Sequence, residues 1–303
     1  MDDIDNSYRS TDSISIESLS RGVAIAPGTC GELVQGAIQG EPFLVTCPVD
    51  LWSEVTVELN PGKCPDGYLD KSSSALKLTL DYLGFAASDV NIKRKSILPE
   101  GKGMGSSTAD IAATCLATAR AFGRELPPEV ISKIAARIEP TDGQMFPGIV
   151  MCNHITGEPK RYLGNAPPLD LVIADPGGSV DTVLFNCRKD LASKNFQKEP
   201  MIKQALELVT RGLLTEDWEM MGRGATISAQ ANQVVLPKPH LAQWRQWAAE
   251  MGALGVVVAH SGTVTGMILS PLSPHCREVA DYIKKKKPEW KVWTTTMING
   301  GLR

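Results

Sequence analysis

Residues 99–110 read Pro99-Glu100-Gly101-Lys102-Gly103-Met104-Gly105-Ser106-Ser107-Thr108-Ala109-Asp110, three alternating glycines running into three hydroxyl residues. Residues 106–122 then carry Ala109, Ala112, Ala113, Cys115, Ala117 and Ala119, and this small, apolar composition predicts a buried helix. Alternating glycines admit positive φ and let a ligand approach the backbone closely. The helix would bring unpaired N–H groups and the positive end of its dipole to the end of the loop. A polyphosphate suits such an end. Lys102 would add a point charge, and Ser107 a hydroxyl ligand for Mg2+. The same string also reads as a flexible turn ahead of a core helix. It is not a Walker A loop, which needs Gly-Lys-Ser/Thr after four spacers. Nor is it a dinucleotide fingerprint, because Ser106 stands where the third glycine belongs.

The chain around this loop has 303 residues, 43% of them hydrophobic and 21% charged, which is the composition of a soluble globular protein. A net charge of -3 argues against general binding to nucleic acid or to a membrane surface. The seven cysteines are widely spaced and contain no Cys-x-x-Cys pair, so reduced thiols and a cytoplasmic location are expected. The acidic start Met1-Asp2-Asp3 lacks the basic and apolar regions of a signal peptide. No apolar run reaches the ~18 residues of a membrane span. Whether the chain forms a homodimer is left open.

Residues 1–20 read as a polar tail. Strands are expected at 23–26 (stopped by Pro27-Gly28), 43–49, 52–59, 90–97, 169–174, 254–259, 264–269 and 290–297. Helices are expected at 72–83, 106–122, 127–138, 200–214, 216–230, 240–251 and 274–285. The mixture does not alternate regularly, which favours α+β over a doubly wound sheet. The Gly164–Pro168 break suggests one domain over 21–165 and another over 166–303.

Three further stretches carry chemistry. Residues 26–36 read Ala26-Pro27-Gly28-Thr29-Cys30-Gly31-Glu32-Leu33-Val34-Gln35-Gly36, and residues 259–266 form a second glycine turn, Ala259-His260-Ser261-Gly262-Thr263-Val264-Thr265-Gly266. In Glu139-Pro140-Thr141-Asp142-Gly143, two carboxylates three residues apart could meet one metal–phosphate centre. The same residues also read as a helix end and a turn, which Thr-Asp-Gly forms well.

In order and spacing, the three glycine stretches resemble the motifs of the GHMP kinases. The strings at 27–36, 101–114, 139–142, 236–239 and 259–262 resemble those of the L-threonine kinase family within that group. The resemblance implies an α+β fold, with an N-terminal ribosomal S5-domain-2-like lobe and a C-terminal ferredoxin-like lobe. It implies ATP and Mg2+ as cofactors and a small hydroxylated amino acid as acceptor. It places ATP at Pro99, Gly101, Lys102, Gly103, Met104, Gly105, Ser106, Ser107 and Thr108. It makes Asp142 the base and gives Mg2+ to Ser107 and Glu139. The acceptor would meet Thr29, Glu32, Gln35, Ser261 and Gly262. Glu32 suits an ammonium group, although a surface-turn role reads equally well. Thr29 stands where many GHMP kinases have lysine, and His260-Ser261 replaces glycine. His260 alone reads as ligand contact or as core residue. Homoserine kinase is the neighbouring alternative, and a non-catalytic nucleotide-binding regulator the alternative of a different class.

Overall fold

The computed structural model describes residues 21–59, 71–85, 90–271 and 275–303. The expected tail at 1–20 and Cys64 lie outside the described residues. The first half of the described chain comprises β1 (Arg21–Ile38), β2 (Glu41–Leu59), α1 (Lys71–Leu83), β3 (Val90–Ser96), α2 (Ser106–Ala121), α3 (Pro128–Ile138), β4 (Ile149–Asn153) and β5 (Glu158–Gly164). The second half comprises β6 (Asp170–Asp175), α4 (Thr182–Asn186), α5 (Leu191–Thr215), α6 (Trp218–Ala231), α7 (Leu241–Glu250), β7 (Gly255–Val258), β8 (Thr265–Leu269), α8 (His275–Lys286) and β9 (Lys291–Thr296). The strands form one sheet in the order β5-β4-β2-β1-β7-β8-β6-β9, with β3 also paired to β2. Every pairing between these strands is antiparallel. The α+β expectation therefore holds.

Three apolar clusters hold this arrangement. One packs α1, α2 and α3 on β1–β3, through residues such as Ile111, Leu80 and Ile131. A second joins α5 and α6 to the middle of the sheet through Ile202, Val209, Met221 and Leu171. A third sets Trp244, Trp247 and Ile283 of α7 and α8 on β6–β8.

The placement of α2 matters most for the site. Its alanines let the helix axis come so close to β1 that a Cβ added to Gly22 would lie 2.0 Å from the Ala117 carbonyl oxygen. Asp110, 6% exposed, ties the first turns of α2 to the sheet. It accepts from Ser53 Oγ at 2.5 Å and from Arg94 at 2.5 Å. Burial still lifts its carboxyl above the usual range, with Ser53 and Arg94 pulling the other way.

Several boundaries differ from those expected. β1 does not stop at Pro27-Gly28 but continues to Ile38, with register shifts after Pro27, Thr29 and Glu32. Bulges absorb the proline and the glycines, so the strand bends and keeps its partner. The two strands expected at 43–49 and 52–59 are one, β2. α5 starts nine residues before Pro200, which lies inside it. β4, β5 and α4 were not expected. β4 and β5 are joined by a tight turn in which Gly157 has φ 72°.

Because α2 and β1 touch backbone to backbone, Gly22→Ala should lower unfolding free energy by about 1–3 kcal/mol. The check is a lower urea midpoint at unchanged m-value.

Candidate active site

The glycine loop is held in shape by a second loop from the other half of the chain. Gly101, Gly103 and Gly105 have φ of 70°, 79° and 64°, values that L side chains rarely adopt. The Lys102 carbonyl accepts from the N–H of Thr263 at 2.9 Å and of Val264 at 3.2 Å. A Cβ on Gly103 would meet the Ala259 Cβ at 2.4 Å, and one on Gly262 would meet the Lys102 oxygen at 2.2 Å. Gln144 adds a third tie, its Nε2 donating to the carbonyls of Pro27 at 2.9 Å and Gly105 at 2.8 Å. Gly105 caps α2 in the left-handed region without a side-chain cap bond. The first N–H groups of α2 therefore remain available to an anion.

A cavity of about 310 Å3 opens on this helix end, lined by Gly101, Gly103, Gly105, Ser106, Ser107, Thr108, Glu139, Asp142 and Ser261, with Lys71 and Asp181. A second hollow of about 560 Å3 shares Lys71, Gly101, Ser106 and Ser107 with it and reaches Arg94 and Asp110. Together they form a polar trough along the loop.

Two loop residues differ from their expected parts. Lys102 does not point into the cavity. Its ammonium pairs with Asp175 at 2.9 Å and donates to the Gly178 carbonyl at 2.5 Å. Asp175 is 2% exposed, and its carboxyl is held below the usual range by Lys102, Thr263 and the Gly177 N–H despite its burial. Lys102 thus braces the loop against β6. Met104 is 1% exposed with its side chain in the core, and it offers only its carbonyl, which accepts from Thr29 N–H. Pro99 precedes the loop and does not line the cavity.

Ser107 and Glu139 are brought together as expected. The Ser107 hydroxyl donates to Glu139 Oε1, and Glu139 is 5% exposed. Lys71, which the sequence reading missed, reaches both, at 2.6 Å to Glu139 Oε2 and 3.1 Å to Ser107 Oγ. Asp142 lines the same cavity. Burial, reinforced by the charge of Glu139, pushes its carboxyl up to about 7. Thr108 Oγ1 lies 3.4 Å from the Asp142 N–H and helps seat it.

Glu32, Thr29 and Gln35 are not turn residues. All three are buried in bulged β1, at 2%, 0% and 0% exposure. Glu32 hydrogen-bonds Thr46, whose Oγ1 also accepts from Gly143 N–H at 3.1 Å. Its carboxyl is pushed well above the usual range by burial and then by the charge of Asp142. Oε2 of Glu32 and Oγ1 of Thr29 have no partner. Gln35 is spent inside the fold, donating to the Val258 carbonyl at 3.0 Å while its Oε1 faces His260 Nδ1 at 3.1 Å. Lys238, in the Leu-Pro-Lys-Pro string, is 6% exposed and donates to the Gly262 carbonyl.

Profiles of the family match both halves. The "GHMP kinases N terminal domain" covers residues 70–148, and "GHMP kinases C terminal" covers 202–283. The chain belongs to the GHMP kinases. It is similar to an L-threonine kinase of Salmonella typhimurium, 32% identical over 285 residues, covering 93% of this chain and 95% of the relative. A 4-diphosphocytidyl-2-C-methyl-D-erythritol kinase of Rhizobium etli is 27% identical over 75% of the chain and 73% of its own length. Among solved structures, a homoserine kinase from Cytophaga hutchinsonii superposes with TM-score 0.72 at 18% identity, covering 98% of each chain. This GHMP kinase is accordingly a small-molecule kinase that uses ATP.

Hard oxygen donors on Ser107 and Glu139 beside an open helix end fit Mg2+, which takes one or two protein ligands and completes its shell with water and phosphate. The Lys71 ammonium bridging the same two side chains shows that the pair accepts positive charge.

Two outcomes follow. Gly262→Ala drives a methyl into the Lys102 carbonyl and should abolish the thermal stabilisation given by Mg-ATP, read by differential scanning fluorimetry. Asp142→Asn should raise the melting temperature by a few degrees at pH 8. The folded-state pKa of Asp142 lies above that of the unfolded chain, so its ionisation destabilises the fold as pH rises through about 7. The gain should shrink as pH falls towards 4.

Proposed function

We propose that the protein transfers the γ-phosphoryl group of ATP to the side-chain hydroxyl of L-threonine, giving O-phospho-L-threonine and ADP. The observation that carries this reading is Asp142, poised near neutrality in one cavity with the open end of α2 and the Ser107–Glu139 pair. Similarity to L-threonine kinases over nearly the whole chain supports threonine as acceptor.

The N–H groups of Ser106, Ser107 and Thr108 hold the phosphates. Ser107 and Glu139 would hold Mg2+, which would neutralise phosphate charge. Asp142 accepts the hydroxyl proton as the oxygen attacks the γ-phosphorus and the bond to the β-phosphate oxygen breaks. With its carboxyl pushed up to about 7, Asp142 stands close to its titration point at neutral pH and can take up a proton there. A base so placed contributes about 10²–10⁴-fold, and positioning supplies much of the rest. Residues 21–165 form the ATP-binding lobe and 166–303 the second lobe. The protein acts in the cytoplasm, and its product feeds the aminopropanol phosphate linker of adenosylcobalamin.

The test is ADP release with Mg-ATP and L-threonine, L-serine, L-homoserine or mevalonate. Selective turnover of threonine is expected, with Asp142→Asn lowering kcat at least 100-fold. The kcat/KM should rise with pH through about 7, as a carboxyl pushed up to that value loses its proton. Preference for homoserine would overturn the acceptor assignment. ATP binding without turnover of any acceptor would favour a regulatory protein.

A further inference from the structure

A third cavity, of about 350 Å3, lies beside the phosphate cavity, lined by Gly36, His154, Asn186, Asn195, Val235 and His260 among others. Its volume falls at the lower end of the ~300–1,000 Å3 range that holds small molecules. The two cavities are neighbours along two segments. The Thr141 N–H donates to the His154 carbonyl at 2.8 Å, so Asp142 follows directly on the residue bonded to this wall. Ser261, next to His260, lines the phosphate cavity.

Two buried ring nitrogens here have no partner. His154 is 6% exposed and its Nδ1 is unpaired, as is Nε2 of His260. For His260 the tautomer follows from its neighbour. Gln35 Nε2 donates to Val258, which turns Oε1 towards His260 Nδ1, so Nδ1 carries the proton. Burial keeps the ring neutral. Nε2 is then a buried acceptor that waits for an N–H or O–H.

The charge beside this wall is positive. Lys198, 3% exposed, extends from α5 past Gly36, where an added Cβ would come within 3.3 Å of its Cε. Its ammonium donates to two neutral oxygens, the Gln35 carbonyl at 3.1 Å and Asn232 Oδ1 at 2.7 Å. Its field acts on both histidines. Glu199 is the acidic residue among the described cavity walls, and Lys203 holds its carboxylate at 2.6 Å. Burial pulls the Lys198 ammonium down to about 7, and an anion set beside it would hold the charged form.

We propose that this cavity seats the acceptor amino acid, with Lys198 answering its α-carboxylate and His260 Nε2 taking one of its N–H or O–H hydrogens. The inference rests on the reading of the protein as an amino-acid kinase and names the residues that select that class. Apolar Ala37, Pro42 and Val235 leave room for a short aliphatic side chain.

The experiment compares L-threonine with L-threoninol, in which the carboxylate is replaced by CH2OH, in wild type and Lys198→Met. In wild type, KM for threoninol should exceed that for threonine by about tenfold or more, the worth of a charge-assisted bond. In Lys198→Met the two acceptors should come within about threefold of each other, with KM for ATP unchanged. A preserved threonine preference in the variant would overturn the proposal while leaving the kinase reading intact. Ala192→Trp, at an exposed position on the cavity rim, is the second variant should Lys198→Met fail to fold. It should raise KM for threonine at least tenfold and spare ATP, and an unchanged KM would count against the cavity. If no acceptor is turned over, the kinase reading falls first. Calorimetric titration of the wild type with L-threonine and L-homoserine then decides the cavity, and absence of binding overturns it.

Discussion

The Lys102 carbonyl, taking two N–H groups from the loop that contains Gly262, is the contact on which the site depends. It forces Gly103 and Gly262 so close that neither position has room for a side chain. With the loop pinned there, Gly105 can cap α2 in the left-handed region and leave the first N–H groups of the helix open. The Lys102–Asp175 pair and the Gln144 bonds reinforce the same shape from two other directions. The proposed phosphate site is thus assembled from segments more than a hundred residues apart in sequence, and what it offers a ligand is largely backbone N–H.

Charge is distributed with a comparable division of labour. On the side of the glycine loop, three carboxylates, Glu32, Glu139 and Asp142, are crowded together, and Lys71 pairs with one of them, Glu139. Burial and then the charge of Glu139 keep Asp142 close to its titration point at neutral pH, which suits the base proposed for it. Around His260 the nearby titratable side chains are basic, Lys198 and Lys238, each buried against neutral oxygens. A zwitterion with a hydroxyl side chain complements that polarity.

Much of this was legible in the chain, because the glycine loop and its helix are local features. Alternating glycines, a hydroxyl run and an alanine-rich face specify α2 whatever surrounds them. The pairing of Ser107 with Glu139 was legible through motif resemblance. Lys71 was not, since nothing near it in sequence marks a lysine that will fold over a site 36 residues away. Lys102 looked like a phosphate ligand because its partner Asp175 lies 73 positions downstream. Pro27-Gly28 suggested the end of a strand, whereas bulges carry β1 through it and bury Glu32 and Gln35. In each case a long-range contact decided what a local pattern left open.

The continuous sheet has a further consequence for how such a chain can be taken apart. β1 pairs with β7 at Glu32 and Val258, and the chain's last residue, Arg303, exchanges two backbone bonds with Ile25. Both halves therefore supply hydrogen-bonding partners that the other cannot replace with water once the strands are buried. Cut between β5 and β6, either fragment would present an unpaired edge and an apolar face. The two halves are consequently poor units for recombination with foreign partners, and a useful chimera would have to exchange loops at the cavity rims and leave the sheet whole.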